Sequence, residues 1–416
     1  MKFEDYRFCP EIKQNLNTLG FMRPTDIQYK AIPPVLRGED VLAIAQTGTG
    51  KTAAFAIPVV QLLQGELRKE GHVGVKCLVM VPTHELALQI REVFDAIAKD
   101  TGVRAFCIYG GVDQEPQIQT LKRGPEILIA TPGRMFDLES QGYLNLEGVK
   151  ILILDEADHM LDMGFIKDIR HLIQKLPKQR QTLFFSATIN EYIKKIAYSL
   201  VINAIRIQIS PKDPVAKNIE HYVAYVEMDD KRFFLERLIN ENPEKKILVF
   251  VRTKVRAERV LKALARVEIH SITIHGDKTQ AERNSVMKRF GSGEVKVLIA
   301  TDVSARGVDI PNVEYVVNYD LPDQSENYVH RVGRTGRGIH KGKAISFCSE
   351  EEKKVLEDIE SFLGNPIDLI VFEQTEYQQT IEFSNEPKSD WRSLIAEAEM
   401  NEAASRKTKK TVKKKK

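Results

Sequence analysis

Residues 41–52 read VLAIAQTGTGKT: five apolar residues, then a turn with glycines at 48 and 50, then Lys51-Thr52. Successive apolar positions, in place of alternating ones, predict a strand buried on both faces, as in a parallel α/β sheet. An apolar helical stretch follows, so the glycines occupy a strand-to-helix turn. Glycines there let backbone N–H groups surround phosphates, while a lysine reaches the outer phosphates and a hydroxyl takes Mg2+. Thr47, Gly48, Thr49, Gly50, Lys51 and Thr52 supply these parts, and the helix adds its positive N-terminal end. Ala45 stands where the strict pattern has glycine.

Similar apolar runs recur on both sides of this stretch. KCLVMVP (76–82), RAFCIYG (104–110), EILIATP (126–132), KILILDE (150–156) and QTLFFSAT (181–188) continue the first half. HYVAYV (221–226), KILVFV (246–251), SITIHG (271–276), KVLIATD (296–302), EYVVNYD (314–320) and KAISFC (343–348) form a second series. Amphipathic stretches such as 83–98 and 255–266 are long enough for crossover helices. The expectation is α/β architecture in two domains, 1–208 and 219–368, joined by a proline-containing linker at 209–218. Beyond 368 the alternation stops, leaving an extension, 369–416, in which 391–404 form a short helix and the lysine-rich end is disordered.

The 416 residues fit two domains and a tail. With 43% hydrophobic and 29% charged residues, general disorder is excluded. No apolar run approaches the roughly 18 residues of a membrane span, and the N-terminus lacks an apolar leader core. A soluble, cytoplasmic protein with no membrane partner is expected. Cys9, Cys77, Cys107 and Cys348 lie far apart, against a disulfide framework or a structural zinc site. The net charge of +3 hides a division. Residues 406–416 hold eight basic and no acidic residues, leaving 53 basic against 58 acidic elsewhere.

A second signal is ILILDEAD (151–158), with carboxylates at the end of an apolar strand. An aspartate so placed can hold Mg2+ beside a phosphate loop, and an adjacent glutamate can deprotonate water. Met160 and Met163 follow at helical spacing and are expected in the core.

In chain order there follow or precede further short motifs: Gly20-Phe21-x-x-Pro24-Thr25-x-x-Gln28, Pro82-Thr83-His84-Glu85-Leu86-Ala87, Gly110-Gly111, Thr131-Pro132-Gly133-Arg134 and Ser186-Ala187-Thr188. The second half carries Phe250-Val251-Arg252-Thr253, His275-Gly276-Asp277, Thr301-Asp302, Ala305-Arg306-Gly307-Val308-Asp309 and His330-Arg331-Val332-Gly333-Arg334-Thr335-Gly336-Arg337. Together these motifs resemble the DEAD-box RNA helicases of helicase superfamily 2 over residues 1 to about 368. The length and short basic tail look most like the bacterial members.

The resemblance implies tandem RecA-like domains, ATP and Mg2+ as cofactors, and RNA as partner. It implies adenine recognition by Phe3, Arg23 and Gln28, and ribose contact by Asp309. Lys51 and Thr52 would take phosphates and Mg2+, with Asp155 holding the ion through water. Glu156 would be the hydrolytic base, and Arg334 and Arg337 arginine fingers from the other domain. Asp158, Ser186, Thr188 and His330 would couple the ATP site to the RNA face. RNA backbone would meet Pro82, Thr83, Gly110, Gly111, Thr131, Gly133 and Arg134, with Arg252, Thr253, Thr301 and Asp302 opposite. His84 stands where the family usually has arginine, leaving that phosphate contact weaker or the residue structural. The implied activity is RNA-stimulated ATP hydrolysis by a monomer, coupled to cleft closure and local duplex unwinding or RNP remodelling. A DNA-acting relative and a non-hydrolysing RNA clamp are the alternatives. The extension 369–416 could add an RNA or protein partner.

Overall fold

The computed structural model describes residues 2–46, 48–70, 74–188, 191–209, 215, 218–302, 313–336 and 341–384. Most of the expected linker, Thr47, Asp309, Arg337, the 391–404 helix and the lysine-rich end lie outside them.

The apolar runs become two parallel seven-stranded sheets. The first contains β1 (Val41–Ala45), β2 (Cys77–Met80), β3 (Ala105–Ile108), β4 (Ile127–Ala130), β5 (Ile151–Leu154), β6 (Gln181–Ser186) and β7 (Ile205–Ile209). Their spatial order is β3-β4-β2-β5-β6-β1-β7. The second contains β8 (Ile219–Tyr225), β9 (Ile247–Phe250), β10 (Ser271–Ile274), β11 (Val297–Ala300), β12 (Tyr315–Asn318), β13 (Gly342–Cys348) and β14 (Asp368–Ile370). It is ordered β10-β11-β9-β12-β13-β8-β14.

Both faces of each sheet are covered, which is why the central strands are apolar at every position. In the first sheet Ala43, Val79, Ile153 and Phe185 pack on one side, and Leu42, Leu78, Leu152 and Phe184 on the other. The second sheet repeats this with Leu248, Leu298 and Val316 against Val249, Ile299 and Val317. Side chains alternate across a strand, so a continuous apolar run feeds two cores at once. Helices His84–Ala98 and Lys254–Arg266 fall on the two amphipathic stretches.

Three features depart from the sequence expectation. Strand β7 falls outside the continuous apolar runs, because IRIQI alternates; it lies at the sheet edge, where Arg206 and Gln208 are exposed. The regular structure also continues past 368, through β14 and helix Gln374–Phe383. Finally, Met160 is buried, but Met163 is 37% exposed. The helix Ala157–Asp162 ends one residue earlier, so Met163 caps it and leaves the core.

Helix Gln374–Phe383 belongs physically to the second sheet's outer layer. The rings of Phe372 and Tyr377 lie 4.9 and 4.8 Å from Phe234. The Tyr377 hydroxyl donates to Asp230 at 2.9 Å and accepts from the Glu227 N–H at 3.0 Å. Arg237 donates to Thr380 and Glu376 at 2.7 and 2.9 Å. Tyr377→Phe should therefore cost about 1 kcal/mol of stability through lost hydrogen bonds. Tyr377→Ala should cost about 2–4 kcal/mol, since the ring contact goes too. Urea unfolding of the two variants checks this; equal losses would show that the ring contact contributes nothing.

Candidate functional site

The site is assembled at the carboxyl ends of the strands, where parallel α/β sheets leave a crevice. The turn after β1 enters helix Lys51–Glu70, and its Gly48 and Gly50 have φ of +81° and +92°. A side chain on Gly50 would also collide with Gln28, its Cβ meeting Nε2 at 2.5 Å. Gln28 uses that closeness: Nε2 donates to the Gly50 carbonyl at 3.2 Å, and Oε1 accepts from the Thr25 N–H at 2.9 Å. One amide hydrogen and one oxygen lone pair of Gln28 remain for a ligand. Phe3 is buried beside Phe21 and Tyr6, with centroids at 6.3 and 6.1 Å. Arg23 is exposed nearby in sequence.

Lys51 is the observation that fits the loop to phosphate. It is 6% exposed, and its Nζ has no hydrogen-bond partner. A buried ammonium without acceptors is costly unless an anion completes it. Together with the glycine turn, the helix N-terminus and the Thr52 hydroxyl, it suits a nucleotide polyphosphate with its divalent cation.

Opposite, β5 delivers Asp155 and Glu156. Burial pushes Asp155 up to about 6; Lys51 opposes this and the Glu156 charge adds to it. Burial acts upward on Glu156 too, but His159, Arg334 and Lys51 outweigh it and bring the carboxyl to about 2. Glu156 is therefore held ionised, as a proton acceptor must be, while Asp155 keeps a proton to higher pH than an ordinary aspartate. Its backbone is left-handed, with φ and ψ both 47°.

Asp158 accepts from the Ala187 and Thr188 N–H groups at 3.2 and 2.9 Å and from the Thr188 hydroxyl at 2.9 Å. Ser186 closes the turn by donating to the Thr188 carbonyl at 2.6 Å. These hydrogen bonds join the segment after β5 to the turn after β6.

The other strand ends carry the remaining motifs. Thr83, Thr131 and Thr253 are the N-caps of helices His84–Ala98, Pro132–Ser140 and Lys254–Arg266, following β2, β4 and β9. Such helix ends present N–H groups suited to phosphates. Pro82 and Gly133 lie at two of these turns, and Gly110-Gly111 follows β3. Arg134 donates to the Val112 carbonyl at 2.8 Å while its Nη1 has no hydrogen-bond partner. Thr301 and Asp302 follow β11, and Arg331 grips the Asp302 carboxylate at 2.6 and 2.7 Å. Arg252 is likewise engaged, donating to the Leu321 carbonyl and lying 3.2 Å from Asp323. His84 rests against the Tyr109 ring at 5.6 Å and contacts Glu85 at 2.7 Å, which supports the structural reading of that residue.

The two halves meet across this crevice. Arg283, from helix Gln280–Ser292 of the second half, reaches Glu85 of the first at 2.7 Å. Burial pushes Glu85 up, but His84 and Arg283 together hold it below the ordinary carboxylate range. Arg334 is buried, donates to the His330 carbonyl at 3.3 Å, and lies close enough to Glu156 to lower its pKa. Arg283 carries no motif signal in the sequence, because its partner Glu85 lies in the other half. His159 carries one signal, its position three residues after Glu156 on a helix.

A family model described as DEAD/DEAH box helicase matches residues 25–196, and one described as helicase conserved C-terminal domain matches 230–338. The ATP-dependent RNA helicase CshA of Listeria monocytogenes is 41% identical over 359 residues, covering 86% of this chain and 68% of that protein. The ATP-dependent rRNA helicase RRP3 of Debaryomyces hansenii is 40% identical over 366 residues, covering 88% and 76%. The structure of S. cerevisiae Dbp5 bound to RNA and ADP BeF3 is similar at 30% identity and a TM-score of 0.81, covering 92% of this chain and 98% of that one.

The raised Asp155 predicts a pH-dependent cost of burial. A carboxyl with a folded pKa near 6 and an unfolded value near 3.8 destabilises the fold progressively as pH rises between them. In nucleotide-free protein, Asp155→Asn should raise stability at pH 7.5 by about 1–3 kcal/mol, and by roughly half that at pH 5. Thermal melts at the two pH values check this; a loss of stability at pH 7.5 would contradict the assignment.

Proposed function

This chain belongs to the DEAD/DEAH box helicase family, and on that premise we propose that it is an RNA-stimulated ATPase that separates short RNA duplexes. The observation that carries the reading is one electrostatic neighbourhood built from both halves: Lys51 and Glu156 from the first, Arg334 from the second. The likeness to a relative bound to RNA and ADP BeF3 supports the same reading. Its working units are residues 1–208 and 219–368, with helix Gln374–Phe383 added to the second.

ATP would lie with its phosphates in the turn 47–52, its adenine at Gln28 and Phe3. The free donor and acceptor of the Gln28 amide match an adenine edge. For Phe3, covered by Phe21 and Tyr6, base stacking requires local rearrangement of these rings. Mg2+, held by Thr52 and through water by Asp155, would neutralise charge on the phosphates. Lys51 would neutralise the phosphate oxygens, and Glu156 would take a proton from the attacking water. Arg334 would meet the γ-phosphate from across the crevice, joined by Arg337. Since these arginines belong to the second half, hydrolysis requires closure.

RNA would lie along the helix N-termini at Thr83, Thr131 and Thr253. Hydroxyls, glycines and N–H groups hold phosphate and 2′-OH without reading bases, which suits a helicase that is indifferent to sequence. Asp302 and Arg252 would contribute mainly by fixing their loops, because their charged groups are already paired. The bonds from Ala187 and Thr188 to Asp158, with Ser186 held to Thr188, would tie the nucleotide end of the first sheet to its RNA end. Strain on one RNA strand in the closed state would separate it from its partner, and phosphate release would reopen the cleft.

Two substitutions separate binding from chemistry. Lys51→Ala should abolish ATP binding, because the phosphates lose their buried cation. Glu156→Gln should bind ATP and RNA at near-parent affinity while hydrolysis falls by roughly two orders of magnitude or more. Fluorescent-nucleotide binding and phosphate release, with and without RNA, give the readout. Parent-rate hydrolysis by Glu156→Gln would remove Glu156 as the base, and equal stimulation by RNA and DNA of one sequence would contradict RNA as the substrate.

A further inference from the structure

His159 follows Glu156 by one helical turn and is 3% exposed. Its Nδ1 lies 3.5 Å from Glu156 Oε2 and has no hydrogen-bond partner. A polar ring nitrogen buried this deeply is normally satisfied, so an unsatisfied one aimed at a catalytic carboxylate calls for an explanation. The neighbouring strain points the same way. Glu156 occupies the left-handed region, which costs a non-glycine residue and recurs where a fold over-determines a functional side chain.

We propose that His159 is a positioning residue for ATP hydrolysis: its Nδ1–H donates to Glu156 Oε2 and fixes the carboxylate toward the attacking water. This rests on the ATPase reading above. The groups whose charges act on Glu156 are His159, Arg334 and Lys51, with Asp155 adjacent. Lys51 is required by the phosphates, and Arg334 arrives from the second half and turns to the γ-phosphate. Asp155 repels Glu156 and can only push it away. That leaves His159 as the neighbour on the same rigid element with no competing task, able to restrain Glu156 through the whole cycle. At 3.5 Å the contact is long for a hydrogen bond, as is common before a catalytic complex tightens.

A purely space-filling histidine and a positioning one respond differently to substitution. His159→Leu keeps volume and removes the donor; His159→Gln keeps an amide N–H. For the positioning role, His159→Leu should lower the RNA-stimulated kcat by roughly tenfold to a hundredfold, with ATP KM and half-stimulating RNA within about twofold of the parent. His159→Gln should stay within about threefold of the parent kcat, because an N–H is restored. In a Glu156→Gln background, adding His159→Leu should change the residual single-turnover rate by less than about twofold, since the group being oriented is no longer a base. Fluorescent-nucleotide affinity at the parent value shows that each variant is folded. The proposal is overturned if His159→Leu keeps the parent kcat, or if Leu and Gln lose it equally. It is also overturned if His159→Leu slows Glu156→Gln by the factor it imposes on the parent. A parent protein without RNA-stimulated hydrolysis would instead remove the ATPase reading itself, so the two failures are distinct.

Discussion

The structure turns on two adjacent carboxylates, one buried and one mostly covered, at the end of an apolar strand. Asp155 and Glu156 are both pushed upward by burial, and each repels the other. Buried charges survive only when paired. The pairing here comes from three directions: Lys51 from the turn after β1, His159 from the helix that follows, and Arg334 from the opposite half. The outcome is asymmetric, with one carboxyl raised and its neighbour lowered. Two neighbouring carboxylates of one short segment are thus set apart by their surroundings alone.

The strand order makes this local arrangement into a device spanning the protein. In the first sheet β1 and β5 flank β6, so the phosphate turn, the carboxylates and the Ser186–Thr188 turn occupy adjacent strand ends. The ends of β2, β4 and β3 lie on the other side of β5, and these carry Thr83, Thr131 and Gly110-Gly111. Asp158, one turn beyond β5, is bonded to Thr188, which fastens the carboxylate segment to the turn after β6. The second sheet repeats the order, with the turns after β9, β11 and β10 grouped at one side. The Glu85–Arg283 ion pair then joins the two halves through the helices that follow β2 and β10. Glu85 is 7% exposed, so separating the halves would remove its guanidinium partner. Closure is thereby coupled to charge compensation.

Much of this was legible in the chain. Strands such as VLAIA and ILIL are buried on both faces, so their apolar runs report themselves without an alignment. The glycine turn and the DEAD residues are local: each motif's chemistry sits within a few residues. What escaped was non-local or atypical in pattern. Strand β7 is an edge strand and alternates, β14 has three residues, and Met163 falls just outside a six-residue helix. Arg283 meets Glu85, some two hundred positions away, and the ion pairs that engage Asp302 and Arg252 are likewise non-local.

The central claim, that the two halves must meet for ATP turnover, is tested most directly by exchanging the charges of the pair that joins them. RNA-stimulated ATP turnover would be measured for Arg283→Glu, for Glu85→Arg and for the double exchange, at saturating ATP and RNA. The account predicts that each single reversal lowers turnover by roughly an order of magnitude or more through like-charge repulsion, and that the double exchange recovers a substantial part of it. Single reversals that hydrolyse ATP at the parent rate would contradict it.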